Sequence, residues 1–157
     1  YRRSGFDRGH MAPAADMTWS ETAMKESFYF SNMCPQNPGL NRGAWKDLEE
    51  SIRKWVKKDS AIAIVCGPLV DKRDTTIGRN EVKIPHAFFK VIVSPYVTTP
   101  RGIGFVFKNE KEDAPLSAYV VSIDSVEALT GMDFFSELPD ELENRLESQN
   151  NIFDWEL

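Results

Sequence analysis

The sequence predicts one domain that combines helices with an antiparallel or mixed sheet, and three observations lead to this fold class. The chain has 157 residues, of which 41% are hydrophobic and 27% charged, as is usual for a globular domain of this length. Most apolar runs are strand-sized, and one long segment has helical periodicity. Prolines between the strand-like runs indicate irregular loops, which disfavours long crossover helices and a doubly wound parallel sheet. Without repeats, low-complexity tracts or linkers, residues 1–157 are expected to form a single domain.

Short elements are expected in the first forty residues, because turn-forming residues interrupt them often. A hydroxyl side chain followed by a glutamate in the first turn is typical of a helix start. In chain order we expect the end of a strand at Tyr1–Phe6, a helix over Glu21–Glu26 capped by Thr18 or Ser20, a strand at Phe28–Ser31 and a turn cluster at Pro35–Gly39.

The clearest helix covers about Leu40–Lys58, where apolar residues recur at spacings of three and four. At 100° per residue they form a stripe about 100° wide, which marks the buried face of the helix. The stripe consists of Trp45, Leu48, Ile52, Trp55 and Val56.

Strands dominate the next part of the chain, and two helices follow them. Apolar runs bounded by prolines and glycines predict strands at Ala61–Cys66, Glu81–Ile84, Phe88–Val93, Gly102–Phe107 and Leu116–Ile123. Helix-start signals predict helices at Ser125–Leu129, after Ser122 or Asp124, and at Asp140–Leu146, after Pro139. The acidic tail to Leu157 is expected to pack loosely.

Charge is distributed unevenly, although a net charge of −5 alone would argue against binding to nucleic acid. Residues 133–157 carry eight acidic residues and one basic residue, whereas the remaining 132 residues hold 18 basic and 16 acidic residues. A basic surface outside the C-terminal segment is therefore compatible with the composition. No apolar run approaches the ~20 residues that a membrane span requires.

The two cysteines, Cys34 and Cys66, are too few for a disulfide scaffold or a cysteine-rich zinc site. Two separate buried thiols are favoured, while one bridge between them stays open. A single pair of cysteines therefore does not define the redox compartment.

The beginning of the chain has no initiator Met and no apolar signal segment. The densest motif of the sequence lies within the first ten residues, where a strand would lack neighbours. We therefore expect that upstream residues, including any targeting signal, are missing from this chain.

Asp7-Arg8-Gly9-His10 is the first group of residues that could carry chemistry. A histidine can accept a proton at neutral pH, Asp7 could orient it, and Arg8 could pair with a phosphate. Taken alone, four such residues are a weak signal, and a surface turn with an ion pair is the simpler explanation.

The polar segment Ser31–Asn41 is the second group, with three asparagines and one glutamine before the long helix. Asparagine favours turns and helix caps, so Asx turns and a cap at Asn41 are one explanation. The other is a ligand role, because the carbonyl oxygen of Asn41 is the kind of hard donor that Mg²⁺ prefers.

Glu49 and Arg53 are the third group and flank one edge of the apolar stripe, where a cleft could form. The alternative is an i, i+4 ion pair on a solvated helix face, worth only ~0.3–0.5 kcal/mol. Eight residues of regular helix would separate Asn41 from Glu49 by about 12 Å. Glu49 would therefore hold a metal-bound water rather than the ion that Asn41 binds.

Together these groups resemble one enzyme family, the DNA/RNA non-specific endonucleases. This family comprises the sugar-non-specific ββα-metal nucleases of the Serratia, NucA and endonuclease G types. The string DRGHMAPAA at Asp7–Ala15 is similar to the active-site signature of the family, and SNMCPQ at Ser31–Gln36 matches a second motif. The similarity continues through Asn41, Trp45, Leu48, Glu49 and Arg53, and through Ala61–Val70, Ile84–Val93 and Ala128–Glu143.

The resemblance implies an α+β fold of the ββα-metal type, with a mainly antiparallel central sheet flanked by helices. It also implies hydrolysis of phosphodiester bonds in DNA and RNA with Mg²⁺, or with Mn²⁺ or another divalent ion in its place. The implied roles are a general base for His10, a direct metal ligand for Asn41, a hold on metal-bound water for Glu49, phosphate contacts for Arg8 and Arg53, and support of the histidine for Asn32. Asp7 belongs to the signature with a role that could be structural.

One departure from the family concerns the upstream strands, which usually carry an arginine that stabilises the transition state. This chain begins after the expected position of that arginine; Arg2 and Arg3 lie close to the motif, but the sequence gives no basis for assigning its role to either. We expect partners in double- and single-stranded DNA and RNA, bound through the phosphate backbone, and possible binding of an inhibitor protein, with no membrane contact. The toxicity of such a nuclease leads us to expect a secreted or periplasmic location.

Two other functions stay open at the level of sequence. One is a catalytically silent nucleic-acid-binding domain, which would be free to lose His10, Asn41 and Glu49. The other is a phosphodiesterase with a narrower choice of substrate, whose motifs would look the same. The sequence does not define the physiological substrate, the oligomeric state or the activity of this segment without upstream strands.

Overall fold

The computed structural model describes residues 1–155 and places a four-stranded antiparallel sheet at the centre of the fold. The strands are β1 (Asp7–His10), β2 (Met33–Gln36), β3 (Ala63–Leu69), β4 (Thr76–Ile77), β5 (Val82–Lys83), β6 (Ala87–Ser94), β7 (Arg101–Lys108) and β8 (Val120–Val121). The helices are α1 (Glu21–Glu26), α2 (Pro38–Asn41), α3 (Ala44–Asp59), α4 (Ile123–Thr130) and α5 (Asp140–Glu147). Single 3-10 turns lie at Ala14–Met17, Phe30–Asn32, Leu116–Tyr119 and Ile152–Trp155.

The central sheet has the strand order β3-β6-β7-β8, and every neighbouring pair is antiparallel. All eight residues of β6 are buried, which explains why its sequence is almost continuously apolar. Phe88 pairs with Phe107, and Ile92 pairs with Ile103, in the register of β6 with β7. The strands expected around these residues and the antiparallel sheet are therefore present.

Each face of this sheet packs against a different set of helices. Alternate residues of β6 point to opposite faces, as the pleat of a strand requires. Phe88 and Ile92 pack with the apolar stripe of α3, which consists of Trp45, Leu48, Ile52 and Trp55 together with Ala44. On the other face Phe89, Val91 and Val93 pack with Ile123, Val126, Phe134 and Leu146 around α4 and α5. The sheet thus separates α3 from the C-terminal helices.

Strands β1 and β2 form a second, two-stranded antiparallel sheet in which His10 pairs with Met33 and Asp7 with Gln36. Gly9 lies beside the buried side chain of Gln36, and a Cβ atom on Gly9 would overlap its amide oxygen. Glycine is therefore required within β1, one residue before the histidine. The pairing places the Asp7–His10 motif beside the polar segment Ser31–Asn41.

The helix expected over Leu40–Lys58 is broken into α2 and α3. Gly43 separates them with φ −109° and ψ −117°, and a Cβ atom there would lie 2.5 Å from the carbonyl oxygen of Gly39. The turn of α2 is closed instead by hydrogen bonds from Asn41 N to Asn37 O and from Arg42 N to Pro38 O. Asn41 and Glu49 therefore lie on different helices, so the spacing of 12 Å expected for one regular helix does not apply.

Several other sequence expectations are wrong in detail, because pairing with distant segments decided the structure. Tyr1–Phe6 forms turns, and Phe28–Ser31 lies in a turn, whereas the strand begins at Met33 and runs through the expected turn cluster to Gln36. Leu116–Ile123 is a 3-10 turn followed by the short β8. The tail as far as Trp155 is packed: Trp155 is 1% exposed, and its ring centroid lies 5.0 Å from that of Trp55.

The remaining helices agree with their start signals. Ser20 caps α1 by accepting a hydrogen bond from Ala23 N, and Ser122 caps α4 by accepting one from Ser125 N. Among residues 1–155, no helix has both the length and the apolar character that crossing a membrane requires.

Candidate active site

His10 ends β1 with its imidazole partly enclosed. Its ring meets the ring of Phe28 edge-on, with 4.7 Å between the centroids. The Nε2 atom is buried and has no hydrogen-bond partner among the described residues. Burial lowers the pKa of His10 below its usual value, while a hydrogen bond with the backbone of Arg8 opposes this shift. The imidazole is therefore neutral near pH 7 and has one ring nitrogen left to act on a ligand.

Asn41 is held by β1, the strand that carries Asp7 and His10. Its Nδ2 donates a 2.9 Å hydrogen bond to Oδ2 of Asp7, so the side-chain oxygen is the atom that remains available as a ligand. Arg42 donates two hydrogen bonds to the same carboxylate, from Nε at 2.9 Å and from an Nη at 2.7 Å. The hydrogen bonds from Arg42, followed by the one from Asn41, hold the pKa of Asp7 below its usual range. Asp7 is thus a charged anchor that orients Asn41.

Glu49 lies on the buried side of α3, next to a lysine that the sequence analysis did not single out. The ammonium of Lys90 lies 3.7 Å from Oε1 of Glu49 and 4.4 Å from the centroid of the Trp45 ring. The side chains of Lys90 and Glu49 are only 2% and 14% exposed. Burial raises the pKa of Glu49, and the charges of Lys90 and Arg53 oppose that rise.

Arg53 pairs with Asp16 through a 3.0 Å contact, and both side chains are about one-third exposed. The ion pair between Glu49 and Arg53 that the helix spacing allowed is therefore replaced by two pairs with residues from other elements. Glu49, Asp16 and Lys90 line a cavity of about 200 Å³ together with Met11, which follows His10 directly. Glu49 therefore lines a cavity that is also lined by the segment directly after His10.

Asn32 fixes the loop behind His10 rather than the imidazole itself. Its Oδ1 accepts a 2.9 Å hydrogen bond from Ala12 N, and its Nδ2 donates to the carbonyl oxygens of Ala12 and Ser27 at 2.8 and 2.9 Å. The backbone of Met11 also donates to Asn32 O at 3.0 Å. Both polar ends of the amide are thus used on backbone, which ties the exit of β1 to the entrance of β2.

Arg8 points to a cavity of about 510 Å³ that also contains Arg2, Arg79 and Phe30. Its guanidinium lies 5.9 Å from the ring centroids of Tyr1 and Phe30. Phe30 is 70% exposed, so an aromatic ring and three arginines share one accessible hollow next to the signature strand.

The two cysteines are free thiols in the described chain. Burial raises the pKa of Cys34 to about 11, and Cys66 contributes to the rise. The thiol of Cys66 donates a 3.2 Å hydrogen bond to the carbonyl oxygen of Met11. Both thiols are therefore separate and partly buried, burial raises the pKa of each, and Cys66 supports the loop after His10.

Sequence analysis singled out the candidate site residues but missed Asp16 and Lys90, which pair with Arg53 and Glu49. Asp16 lies in a loop without a regular pattern. Lys90 had a signal: it is the single charged residue in the otherwise apolar segment AFFKVIV, and a buried lysine requires a partner. The role of Asp7 was also underestimated, because its partners are 34 and 35 residues away.

The donor set of this site suits a hard divalent cation. The side-chain oxygen of Asn41 is free to act as a metal ligand, and Glu49 is a largely enclosed carboxylate. Neither thiol has a lowered pKa. Mg²⁺ and similar ions prefer oxygen ligands and keep several waters, which a site with few protein ligands allows. The residues present therefore fit such an ion.

Comparison with known proteins identifies the class of this fold. A crystal structure titled as the EndoG/EndoGI complex, on the mechanism of EndoG inhibition, superposes with a TM-score of 0.83 at 35% identity, covering 90% of this chain and 64% of that chain. The fold is therefore the α+β architecture of ββα-metal nucleases, as the resemblance implied.

The sequence matches the family described as DNA/RNA non-specific endonuclease over residues 1–141, and the chain belongs to this family. It is 37% identical to the mitochondrial endonuclease G of Homo sapiens, over 85% of this chain and 50% of that protein. It is 36% identical to the mitochondrial nuclease 1 of Schizosaccharomyces pombe, over 88% of this chain and 49% of that protein. A nuclease of Nostoc sp. is 33% identical over 95% of this chain and 57% of that protein. The chain thus spans about half the length of these relatives.

The expectation of a secreted or periplasmic location is wrong. It rested on the toxicity of an uncontained nuclease, but the nucleases of Schizosaccharomyces pombe, Saccharomyces cerevisiae and Homo sapiens that this chain resembles are mitochondrial by name. Containment within an organelle meets the same need as export, so toxicity alone does not distinguish the two.

Proposed function

We propose that this protein is a divalent-metal-dependent endonuclease that hydrolyses phosphodiester bonds of DNA and RNA. The observation that carries the proposal is the imidazole of His10, whose Nε2 is buried and unpartnered at the end of β1 while Asp7 on the same strand holds Asn41. A base and a metal ligand are thereby fixed to one strand of four residues.

His10 acts as the general base in this mechanism. Its lowered pKa keeps the imidazole neutral at pH 7, and its free ring nitrogen accepts the proton of the attacking water. Asn32 holds the loop that follows, so the ring is positioned by backbone on both sides. Asn32 therefore acts as a positioning residue.

Asn41 would hold the metal directly, and Glu49 would hold water bound to it. A bound Mg²⁺ supplies charge stabilisation to the phosphate and its leaving oxygen. Asp7 keeps the amide of Asn41 oriented, and the charges of Lys90 and Arg53 oppose the rise that burial causes in the pKa of Glu49. Each proposed ligand thus lies beside charged residues that orient its side chain or favour its charged form, an arrangement common around metal sites.

Arg8 and Arg53 would contact the phosphate backbone. Arg8 shares its hollow with Arg2 and Arg79, which provides positive charge in a chain whose net charge is negative. Contacts with phosphate carry little sequence information and are equally available in DNA and RNA. This accounts for cleavage without sequence preference. An inhibitor protein as a further partner is in keeping with the EndoG/EndoGI complex that this fold resembles.

The test is cleavage of supercoiled plasmid and of structured RNA, with Mg²⁺ or EDTA, by the wild type and by His10→Ala. We expect His10→Ala to reduce both activities by about 10²–10⁴-fold. His86→Ala is the matched control, because His86 is exposed and lies outside this site. Its Nδ1 atom is 3.0 Å from Oδ2 of Asp74. Equal activity of the wild type and His10→Ala would contradict the assignment of the base.

Two other outcomes would replace the proposal with an alternative. Salt-sensitive DNA binding by a folded protein without any cleavage would identify a silent binding domain. Cleavage of only DNA or only RNA would identify a narrower phosphodiesterase. Because the chain spans about half of its relatives, the same assay is run with the longest natural form of the protein.

A further inference from the structure

A second cluster of ionisable residues lies on the opposite side of the central sheet from α3. Five carboxylates from α4, α5 and the segment between them converge there: Asp124, Glu127, Asp133, Glu143 and Glu147. They form two groups of three, and Glu147 belongs to both. Within each group the carboxylate oxygens lie within 4.8 Å of one another. Helices α4 and α5 pack beside the core of Ile123, Val126 and Leu146, so this cluster is separate from His10 and Asn41.

Glu147 distinguishes this cluster from an ordinary acidic surface. The residue is only 7% exposed, and its Oε1 atom has no hydrogen-bond partner among the described residues. A buried carboxylate oxygen without a partner is unfavourable unless something that the side chain can bind occupies the space in front of it.

No positive charge compensates these carboxylates within residues 1–155, since none of the five forms an ion pair there. Burial, followed by the charges of Glu127, Glu143 and Asp124, raises the pKa of Glu147 to about 7. Burial and the charges of Asp133, Asp140 and Glu127 likewise raise the pKa of Glu143. The cluster therefore requires a cation from outside the chain or a proton.

We propose that Glu147 anchors a binding site for one Ca²⁺-like cation, with Asp124 and Glu127 as its other carboxylate ligands. Ca²⁺ takes six to eight oxygen ligands in flexible geometry, whereas Mg²⁺ demands near-ideal octahedral geometry and usually binds one or two carboxylates. Three carboxylates, supplemented by water, therefore suit the larger ion.

The cation would join α4, which carries Asp124 and Glu127, to α5, which carries Glu147. Glu127 is already oriented, because its Oε1 accepts a 2.8 Å hydrogen bond from Phe134 N. Asp133 lies next to Phe134, which is buried against Phe89 of the sheet with 5.6 Å between the ring centroids. Binding would therefore fix α5 and the segment after α4 against the sheet, and the site is structural rather than catalytic.

Calcium titration of the metal-free full chain tests the proposal, with calorimetry for binding and thermal unfolding for stability. We expect one Ca²⁺ site in the wild type and a rise in Tm of roughly 5–11 °C at one hundred times the Kd. Glu147→Gln removes the charge with little change of volume and should abolish both effects. Asp124→Asn, at an exposed position, should weaken binding at least about tenfold and provides a second test if Glu147→Gln fails to fold.

Two control variants separate this site from the proposed active site. Glu141→Gln changes an exposed carboxylate of the same helix outside the cluster and should bind Ca²⁺ like the wild type. Asn41→Ala should keep the Ca²⁺ site although it loses nuclease activity. The proposal is overturned if Ca²⁺ neither binds to the wild type nor stabilises it, or if Glu147→Gln binds equally well. Greater stability of metal-free Glu147→Gln at pH 8, without any response of the wild type to Ca²⁺, would show that the cluster holds a proton.

Discussion

Glu49 and Glu147 lie on helices that pack on opposite faces of the same sheet, and both are largely enclosed. Burial raises the pKa of each. The charges of Lys90 and Arg53 oppose the shift at Glu49, whereas every neighbouring charge that acts on Glu147 is another carboxylate. The residue type is the same, but cations lie beside Glu49, whereas only carboxylates act on Glu147.

The difference is expected to be functional. Under the proposed function Glu49 holds water bound to a catalytic ion, and the positive charges of Lys90 and Arg53 favour its charged form. Glu147 has no cation within the described chain and becomes neutral or binds one. Removing the positive charge beside Glu49, or supplying a cation to Glu147, should therefore make the charge states of the two carboxylates more alike.

The largest effect is expected from Lys90→Met, which removes the compensation from Glu49. A buried carboxylate left without its cation destabilises a protein by about 3–5 kcal/mol. Urea unfolding measures the change. Lys108→Met, at an exposed position of β7, is the control and should have little effect. Adding Glu49→Gln to Lys90→Met should recover part of the loss, and a loss that persists in full would mean that packing of Lys90 on Trp45 was the cause.

Asp7→Asn should have the next largest effect, on activity rather than on folding. It removes the charge that binds Arg42 and weakens the orientation of Asn41. Positioning residues of this kind typically contribute 10–100-fold to metal affinity or activity, so we expect about that loss in the Mg²⁺ dependence of cleavage. Asp71→Asn is the control, because Asp71 binds Arg73 at an exposed turn. An unchanged Mg²⁺ requirement would remove Asp7 from the site.

Glu147→Gln should change how stability depends on pH when a chelator is present. The pKa of Glu147 is about 7 in the folded protein, above the value of 4.5 expected when unfolded. The folded state then binds more protons than the unfolded state between these values, so stability falls as pH rises through this window. Unfolding in urea at pH 5 and pH 8 should show this fall in the wild type and a smaller one in Glu147→Gln. Identical pH dependence of stability in both proteins would mean that Glu147 is not the group responsible for it.

The smallest effect concerns the pH profile of cleavage. Because burial lowers the pKa of His10 below its usual value of 6.5, kcat/KM should rise with pH, bend below 6.5 and be level at pH 7. Phe28→Leu removes the ring that packs edge-on against the imidazole and should move this bend upward by admitting water. A bend above 6.5 in the wild type would contradict the neutral base at pH 7.

Much of the fold was predictable from sequence where one segment carried its own pattern. The nearly continuous apolar run Phe88–Val93, and the three-and-four spacing around Trp45–Trp55, predicted β6 and most of α3. The pairing of β1 with β2 was not predictable, because Pro35 and its neighbours read locally as a turn and become a strand only opposite Asp7–His10. The break at Gly43 likewise depends on contact with Gly39 rather than on helical periodicity.

The candidate site shows the same division. His10, Asn41, Glu49 and Arg53 were predicted because their spacing and chemistry lie in short stretches of sequence. The residues that set their charge state come from distant segments, as Lys90 does for Glu49 and Asp16 does for Arg53. Pairs across strands and loops leave no periodic signal, so only an unexpected charge in an apolar strand gave a clue.

The contact between Trp55 and Trp155 gives the molecule an optical marker of its own assembly. Two indole rings with centroids 5.0 Å apart and planes inclined by 55° have coupled electronic transitions, which appear as a paired band in circular dichroism. Because Trp155 belongs to the 3-10 turn Ile152–Trp155 and Trp55 to α3, the band reports whether that turn is packed on the helix that carries Glu49 and Arg53. Its loss ahead of the sheet signal during heating would show that this turn detaches first.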